Sequence, residues 1–202
     1  MLDNLLKNIP EKNLEFKDTT SLKWKKDVID FFKNKNLDSC LEIGTCKGIS
    51  TRILSELFSK VYTIEYQQRL VNDAKEFNKE CNNINFICGD AYDDNTYKEL
   101  PKIFNVVVID CIHEYKWVVA DIERALTFFN QDSGIYLVFD DHGHPESTGV
   151  KSAIDFAINS GLKVEKYIGE PAGFEVERLN GTKFKLIYDE GVILSYGVQT
   201  DE

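Results

Sequence analysis

One stretch limits this chain more than any other: Leu41-Glu42-Ile43-Gly44-Thr45-Cys46-Lys47-Gly48-Ile49-Ser50. A short apolar run with one acid passes through a turn with two glycines into a helix-like segment. That is a strand, a tight turn and a helix start, the arrangement that brings backbone N–H groups and a helix N-terminus close to a ligand. Alone it does not say which ligand.

The residues around it repeat the alternation. Ser39–Thr45, Val61–Glu65, Ile84–Cys88, Asn105–Asp110 and Gly134–Asp140 read as strands. Helical segments follow at about 49–59, 67–79, 115–129 and 149–160, with a short one at 96–100 that stops at Pro101. Asn-Val-Val-Val-Ile-Asp at 105–110 is the unbroken β-branched run of a strand buried on both faces. The pattern predicts an α/β fold, a mostly parallel Rossmann-like sheet with helices on both faces. The C-terminal end differs. Lys163–Ile168, Thr182–Tyr188 and Val192–Tyr196 read as strands, the last two with no helix between them, so the sheet should finish with antiparallel strands. Before the alternation, Leu2, Leu5, Leu6 and Ile9 follow helical spacing up to Pro10, and Ser21 caps a second helix with Trp24, Val28, Phe31 and Phe32 on its apolar face. Residues 1–38 thus form an N-terminal helical cap on a domain spanning 39–202.

Composition narrows the function. A net charge of −10 over 202 residues argues against nonspecific binding to nucleic acid or an anionic membrane surface. No apolar run approaches the roughly 18 residues of a membrane span, and the mixed N-terminus does not resemble a signal peptide, so a cytoplasmic location is expected. The five cysteines are odd in number and lack a Cys-x-x-Cys pair, which speaks against zinc or a disulfide framework.

In such a fold the ligand lies at the carboxyl ends of the strands. Those ends carry Gly44 to Gly48, Glu65, Asp90, Asp110, and the pair Asp140–Asp141. An acid at nearly every edge repels phosphate, and Gly-x-x-x-Gly is not the dinucleotide fingerprint. A cationic, ribose-bearing ligand without phosphate fits better. Glu65 can accept both ribose hydroxyls and Asp90 an adenine amino group. Glu42 can face an ammonium, and the backbone at Gly44 can approach closely. S-adenosylmethionine (SAM) has these parts; a Rossmann-like domain for another nucleotide is the competing reading.

Glu42-x-Gly44-x-x-x-Gly48, Glu65 and Gly89-Asp90-Ala91 together resemble the class I SAM-dependent methyltransferases over about residues 38–197. The resemblance implies a seven-stranded sheet with a reversed last strand. It also implies a cofactor site made by Glu42, Gly44, Thr45, Gly48, Ser50, Glu65, Asp90, Ala91 and Asp110.

The three histidines, His113, His142 and His144, all follow the fourth and fifth strands, beside Asp110, Asp140 and Asp141. Neighbouring strands lie about 5 Å apart, so the three carboxylates can converge; unpaired, they would raise one another's pKa, a conflict that a divalent cation removes. Hard oxygen ligands suit Mg²⁺ or Mn²⁺. Here the sequence resembles metal-dependent O-methyltransferases of the catechol and caffeoyl-CoA type. The Asp110-x-x-His113-x-Tyr115 segment is closer to the macrocin O-methyltransferase and cephalosporin-hydroxylase-like branch. The resemblance assigns the metal to Asp110, Asp140 and Asp141. It places His113 where catechol-type enzymes carry a lysine base, so His113 and Asp110 are the catalytic candidates. His113 could instead orient substrate or bind metal, and the His142-x-His144 pair could recruit Fe²⁺, Mn²⁺ or Zn²⁺ or belong to a polar loop.

The expected reaction is methyl transfer from SAM to a hydroxyl of a small acceptor, a sugar or a catechol-like diol. Two alternatives stand beside it: another SAM enzyme, N-methylating without metal or hydroxylase-like, and a non-catalytic SAM-binding protein. Related small methyltransferases often dimerise, so a homodimer is also an expectation.

Overall fold

The computed structural model describes residues 19–199. The helix expected around Leu2–Ile9 lies outside them. Described elements run in the order α1 (Leu22–Phe32), β1 (Ser39–Ile43), α2 (Ile49–Leu57), β2 (Lys60–Glu65), α3 (Gln68–Phe77) and β3 (Ile84–Cys88). A 3₁₀ turn (Asp94–Tyr97) precedes β4 (Val106–Ile109), α4 (Tyr115–Leu126), β5 (Ile135–Phe139) and α5 (Thr148–Asn159). The chain ends with β6 (Lys163–Ile168), β7 (Glu175–Glu177), β8 (Lys183–Lys185) and β9 (Gly191–Tyr196).

Seven strands form one sheet in the order β3-β2-β1-β4-β5-β9-β6. β1 pairs in parallel with β2 and with β4, so the strand order reverses there. β9 runs antiparallel between β5 and β6, with Val138 opposite Ile193. This is the Rossmann-like methyltransferase sheet with its reversed final strand.

Strand period explains the layers. Successive side chains point to opposite faces, and β4 is apolar at every position. Val107 and Ile109 join the cluster with Val118, Ile122 and Ala125 of α4 and Ala153, Ile154 and Ala157 of α5. Val106 and Val108 join the opposite cluster with Trp24, Val28 and Phe32 of α1 and Leu54 of α2. Helix α1 is capped by Ser21, whose Oγ accepts from the Trp24 backbone N–H at 2.9 Å. Truncating a side chain as enclosed as Phe139 would cost about 3–5 kcal/mol.

One element differs from the sequence reading. Thr182–Tyr188 does not join the large sheet; only Lys183–Lys185 is strand, and it pairs with Glu175–Glu177 in a separate two-stranded hairpin. The physical reason is its composition. Lys183, Lys185, Glu175 and Glu177 are exposed, whereas the strand that does enter between β5 and β6, Gly191–Tyr196, is buried over five of its six residues. The expected turn at Asn180-Gly181 closes this hairpin, with Arg178 N donating to Thr182 O at 2.9 Å. Cys88 is exposed on β3, the sheet's edge, while Cys40 in β1 is buried, and all five cysteines are free thiols. Among the described residues no helix is long and apolar enough to cross a membrane.

Candidate active site

The turn after β1 crosses the point where strand order reverses. Gly44 has φ +103°, and a Cβ there would lie 1.8 Å from the Asp110 carbonyl oxygen. The first glycine therefore lets the loop lie directly on the end of β4. Gly44 N and Thr45 N both donate to Ile64 O, at 3.0 and 3.2 Å, which ties the same loop to β2. Gly48 serves a different purpose. It caps α2 at φ +72°, and a Cβ would meet Asn78 Nδ2 at 2.6 Å and Ala74 Cβ at 2.9 Å. It sets the approach of α2 to α3 and does not line the cleft.

Glu42 is buried beneath the loop. Its Oε2 accepts from the Thr51 hydroxyl at 2.5 Å and the Thr63 hydroxyl at 2.6 Å, and Thr63 Oγ1 also lies 2.5 Å from Thr45 Oγ1. Burial raises its carboxyl to about 8, against the pull of the two hydroxyls. Glu65 ends β2 and accepts from Cys46 N at 3.0 Å and Gln67 N at 2.9 Å, leaving its remaining lone pairs for a ligand. Asp90 is exposed and accepts from Tyr92 N at 2.9 Å. Ala91 is buried, and its carbonyl accepts from Tyr97 Oη at 2.9 Å.

A cleft of about 740 Å³ opens at these strand ends. One side is the loop and helix start, Gly44 to Lys47 with Ile49 and Ser50. The floor is Asp110, Cys111, His113, Asp140 and Asp141. The far wall is the β7–β8 hairpin with His144. Glu42, Gly48, Glu65, Asp90 and Ala91 are not part of this lining. Of the aromatic side chains nearby, Trp24, Tyr92, Tyr115, Trp117 and Phe174 do not line it either; Trp24 is core and Tyr92 packs on Trp117 with ring centres 4.3 Å apart.

On the floor, Asp110, His113 and Asp141 each offer a ligand atom, all within 4.8 Å of one another. His113 Nε2 lies 3.0 Å from Asp141 Oδ2 and 3.8 Å from Asp110 Oδ1. The two carboxylates raise the imidazole to about 10. Burial and the charge of Asp141 push Asp110 up, while His113 opposes that rise. Asp141 adopts φ +57°, a left-handed geometry that Asp tolerates better than most residues. Asp110 is not a helix cap: α4 begins at Tyr115, with Glu114 in the cap position.

Asp140 stands apart from this group. It is buried, its Oδ1 has no hydrogen-bond partner, and burial together with Asp141, Asp110 and Glu190 holds its carboxyl well above the ordinary range. Lys25 of α1, fully buried, supplies a cation to this region. Its ammonium donates to the Thr20 carbonyl and hydroxyl; burial lowers it to about 8, against the attraction of Asp140, Glu190 and Asp110. Glu190 in turn accepts from Ser21 N at 2.7 Å, Ser21 Oγ at 2.5 Å and Glu170 N at 2.8 Å. Sequence reasoning did not single out Lys25 or Glu190. A signal for Lys25 existed: it lies four residues before Ile29 and seven before Phe32, inside the apolar arc of α1.

The other two histidines tie the loop after β5 to its surroundings, His144 to the hairpin and His142 to β6 and the segment after β8. His142 is buried; its Nδ1 lies 3.0 Å from the Asp189 carbonyl, and its ring faces Tyr167 and Tyr188 at 5.6 and 5.5 Å. His144 packs on Phe184 at 4.4 Å, and its Nε2 accepts from Arg178 Nη2 at 3.1 Å. Arg178 Nη2 also pairs with Glu146 at 2.6 Å. Ile187 N donates to Gly143 O at 2.9 Å, and a Cβ on Gly143 would lie 2.2 Å from Tyr188 O.

Comparison with known proteins agrees with this architecture. A family profile described as a methyltransferase domain matches residues 41–142, just over half of the chain. No curated protein matches. Among solved structures, the chain is similar to cofactor-bound Rv0187 from MTB, with 19% identity, TM-score 0.68, and 98% of this chain and 90% of that chain covered. An O-methyltransferase from Bacillus cereus in complex with SAH has 20% identity, TM-score 0.65 and coverage of 96% and 89%. The O-methyltransferase TomG from Streptomyces achromogenes has 18% identity, TM-score 0.63 and coverage of 98% and 89%. These likenesses describe the fold; the profile spans β1 to the loop after β5, the segment that carries the glycine turn and the acidic floor, and the chain accordingly belongs to the methyltransferase-domain family.

Proposed function

We propose that this methyltransferase acts on a hydroxyl of a small molecule, a sugar or a catechol-like diol, with the help of a divalent cation, Mg²⁺ or Mn²⁺. The observation that carries the reading is the group Asp110–His113–Asp141, set on the cleft floor against the glycine loop. The two carboxylates, within reach of one centre, fit a small cation that prefers oxygen, and the imidazole beside them stays available for a proton. Asp140, with its unpartnered buried oxygen, stands behind them as a further donor.

Gly44, Thr45 and Ser50 would hold the amino-acid end of SAM, Glu65 the ribose and Asp90 the adenine. The sulfonium supplies an activated methyl group, and a bound cation lowers the pKa of a coordinated hydroxyl. His113 takes up the hydroxyl proton at Nε2, and it can do so only in its neutral form. Held between two carboxylates it is an acid up to about pH 10, so it becomes a base only where a second positive charge shares Asp110 and Asp141. Alignment of the acceptor oxygen with the methyl carbon, away from water, contributes most of the acceleration.

A second reading draws on the same pair. The imidazolium of His113 already offsets the negative floor, which suits a metal-independent transfer. The test measures methyl transfer from SAM to diol acceptors with EDTA and with added Mg²⁺ or Mn²⁺, alongside calorimetric titration of SAM. Metal-assisted O-methylation predicts loss in EDTA, recovery with the cation, and loss of at least about a hundredfold in kcat/KM for Asp141→Asn. Full activity in EDTA, or in the Asp140→Ala, Asp141→Ala double variant, selects the metal-independent reading. No SAM binding would overturn both.

A further inference from the structure

Two hydroxyls separate Glu42 from the cleft. The acid is 1% exposed and does not line the cleft. Glu42 and Thr63 are register partners on the parallel strands β1 and β2, so their side chains leave the sheet on the same face. Glu42 Oε2 accepts from Thr63 Oγ1 at 2.6 Å and from Thr51 Oγ1 of α2 at 2.5 Å. Thr63 Oγ1 also lies 2.5 Å from Thr45 Oγ1. Thr45 belongs to the glycine loop and lines the cleft, whereas Thr51 and Thr63 are fully buried behind it.

Counting protons fixes the direction of this chain. A threonine hydroxyl has one proton to donate and two lone pairs to accept with. Thr63 gives its proton to Glu42 Oε2, so in its contact with Thr45 it accepts and Thr45 donates. Oε2 takes protons from two hydroxyls, so a proton on the acid itself belongs on Oε1, and Oε2 stays an acceptor on either side of the acid's pKa of about 8. The proton of Thr45 is thereby turned inward, and its hydroxyl keeps only lone pairs. The backbone of Thr45 is engaged within the fold: its N–H donates to Ile64 O at 3.2 Å and its carbonyl accepts from Gly48 N at 2.8 Å. The hydroxyl is thus the group that Thr45 keeps for a ligand. A hydroxyl free to rotate serves donors and acceptors alike. One whose proton is committed favours a donor, and meets an acceptor with lone pair against lone pair.

We propose that Thr63 is a positioning residue that makes Thr45 an acceptor only, so that this end of the cleft recognises the ammonium of the cofactor's amino-acid group. Glu42 reads that ammonium through Thr63 and Thr45, and not by direct contact. Thr51 binds the same carboxylate oxygen but does not stand between Glu42 and Thr45, which makes it the internal control. This rests on the reading of the cleft as a SAM site, and deepens it by assigning the residues that recognise one part of the ligand.

The test titrates two probes by calorimetry: S-adenosylhomocysteine (SAH) and its des-amino analogue, in which hydrogen replaces the ammonium. Wild type should bind SAH at least about tenfold more tightly, the worth of one hydrogen bond from a charged donor. Thr63→Val should cut that ratio by at least about threefold, and Thr63→Ser, which keeps the hydroxyl, should retain it. Thr45→Val should cut the ratio at least as far, and adding Thr63→Val to Thr45→Val should change it no further. Thr51→Val removes the other hydroxyl from Glu42 and should leave the ratio in place. Thermal melts check folding; if Thr63→Val does not fold, Thr45→Val set against Thr51→Val decides. A wild-type ratio near one, a ratio that survives Thr63→Val or Thr45→Val in folded protein, or an equal fall in Thr51→Val overturns the proposal and leaves the cofactor reading standing. Failure of wild type to bind SAH overturns both.

Discussion

His113 Nε2 sits 3.0 Å from Asp141 Oδ2, so the imidazole occupies the position in which a cation would meet that carboxylate. Its pKa is raised to about 10 by Asp110 and Asp141. A histidine raised in the folded state adds stability that is fully present below about pH 6.5 and disappears as pH rises through about 10. In EDTA, the melting temperature of wild type should therefore lose its advantage over His113→Gln between pH 7 and pH 10. Saturating Mg²⁺ should shrink the difference at pH 7. A pH-independent gap between the two proteins would contradict the pairing.

Glu42 predicts the opposite kind of trend. Its carboxyl is raised to about 8 by burial. An acid raised in the folded state destabilises progressively as pH climbs from its ordinary value near 4.5 to about 8, and the loss then levels off. Glu42→Gln keeps an acceptor oxygen for Thr51 and Thr63 and removes the charge. It should stabilise the protein by on the order of 2–4 kcal/mol at pH 9 and by little at pH 4. Urea denaturation at the two pH values measures both.

Gly44 and Gly161 form a matched pair for separating backbone strain from steric overlap. Their φ angles are +103° and +108°. A Cβ on Gly161 meets nothing within 4 Å, whereas one on Gly44 would overlap the Asp110 carbonyl. Gly161→Ala should cost about 1–2 kcal/mol, the conformational penalty alone. Gly44→Ala should cost at least about 2 kcal/mol more and weaken SAM binding, since the loop can no longer rest on β4. Equal costs would mean that the loop yields freely.

Lys25 is the buried counter-charge to Asp140 and Glu190. Lys25→Met leaves two buried acids without it and should destabilise by about 2–4 kcal/mol. Adding Asp140→Asn should recover at least about 1 kcal/mol of that loss. Strict additivity in the double-mutant cycle would show that the ammonium and Asp140 do not interact.

How much of this could be read from sequence depends on the kind of information each residue carries. The positions of Gly44, Glu65, Asp110 and Asp141 follow from element order, because a parallel α/β sheet leaves every strand's carboxyl end on one edge. Side-chain direction does not follow from order. Asp140 and Asp141 are adjacent, yet Asp141 joins Asp110 and His113 while Asp140 is buried away from that group; the left-handed turn at Asp141 separates them. Glu42 could be placed on β1, but the two hydroxyls that hold it come from Thr51 and Thr63, on elements whose register only the fold fixes. The hairpin was legible as a turn and not as a wall. Its short charged strands carry no pattern that tells a separate ribbon from a sheet edge, and Arg178 gains meaning only from the loop it meets.

That meeting has a consequence for how the enzyme could change its acceptor. His142, Gly143, His144 and Glu146 are bound to the hairpin or the segment after it, and the same loop begins with Asp140 and Asp141. The hairpin wall of the cleft and its acidic floor are thus inherited as one module. A chimera that imports only residues 171–190 from a relative would disturb the acids it needs, whereas one that imports 140–147 together with 171–190 keeps their contacts intact. Diversification in this lineage should proceed by paired replacement of the two segments, with the glycine turn left untouched.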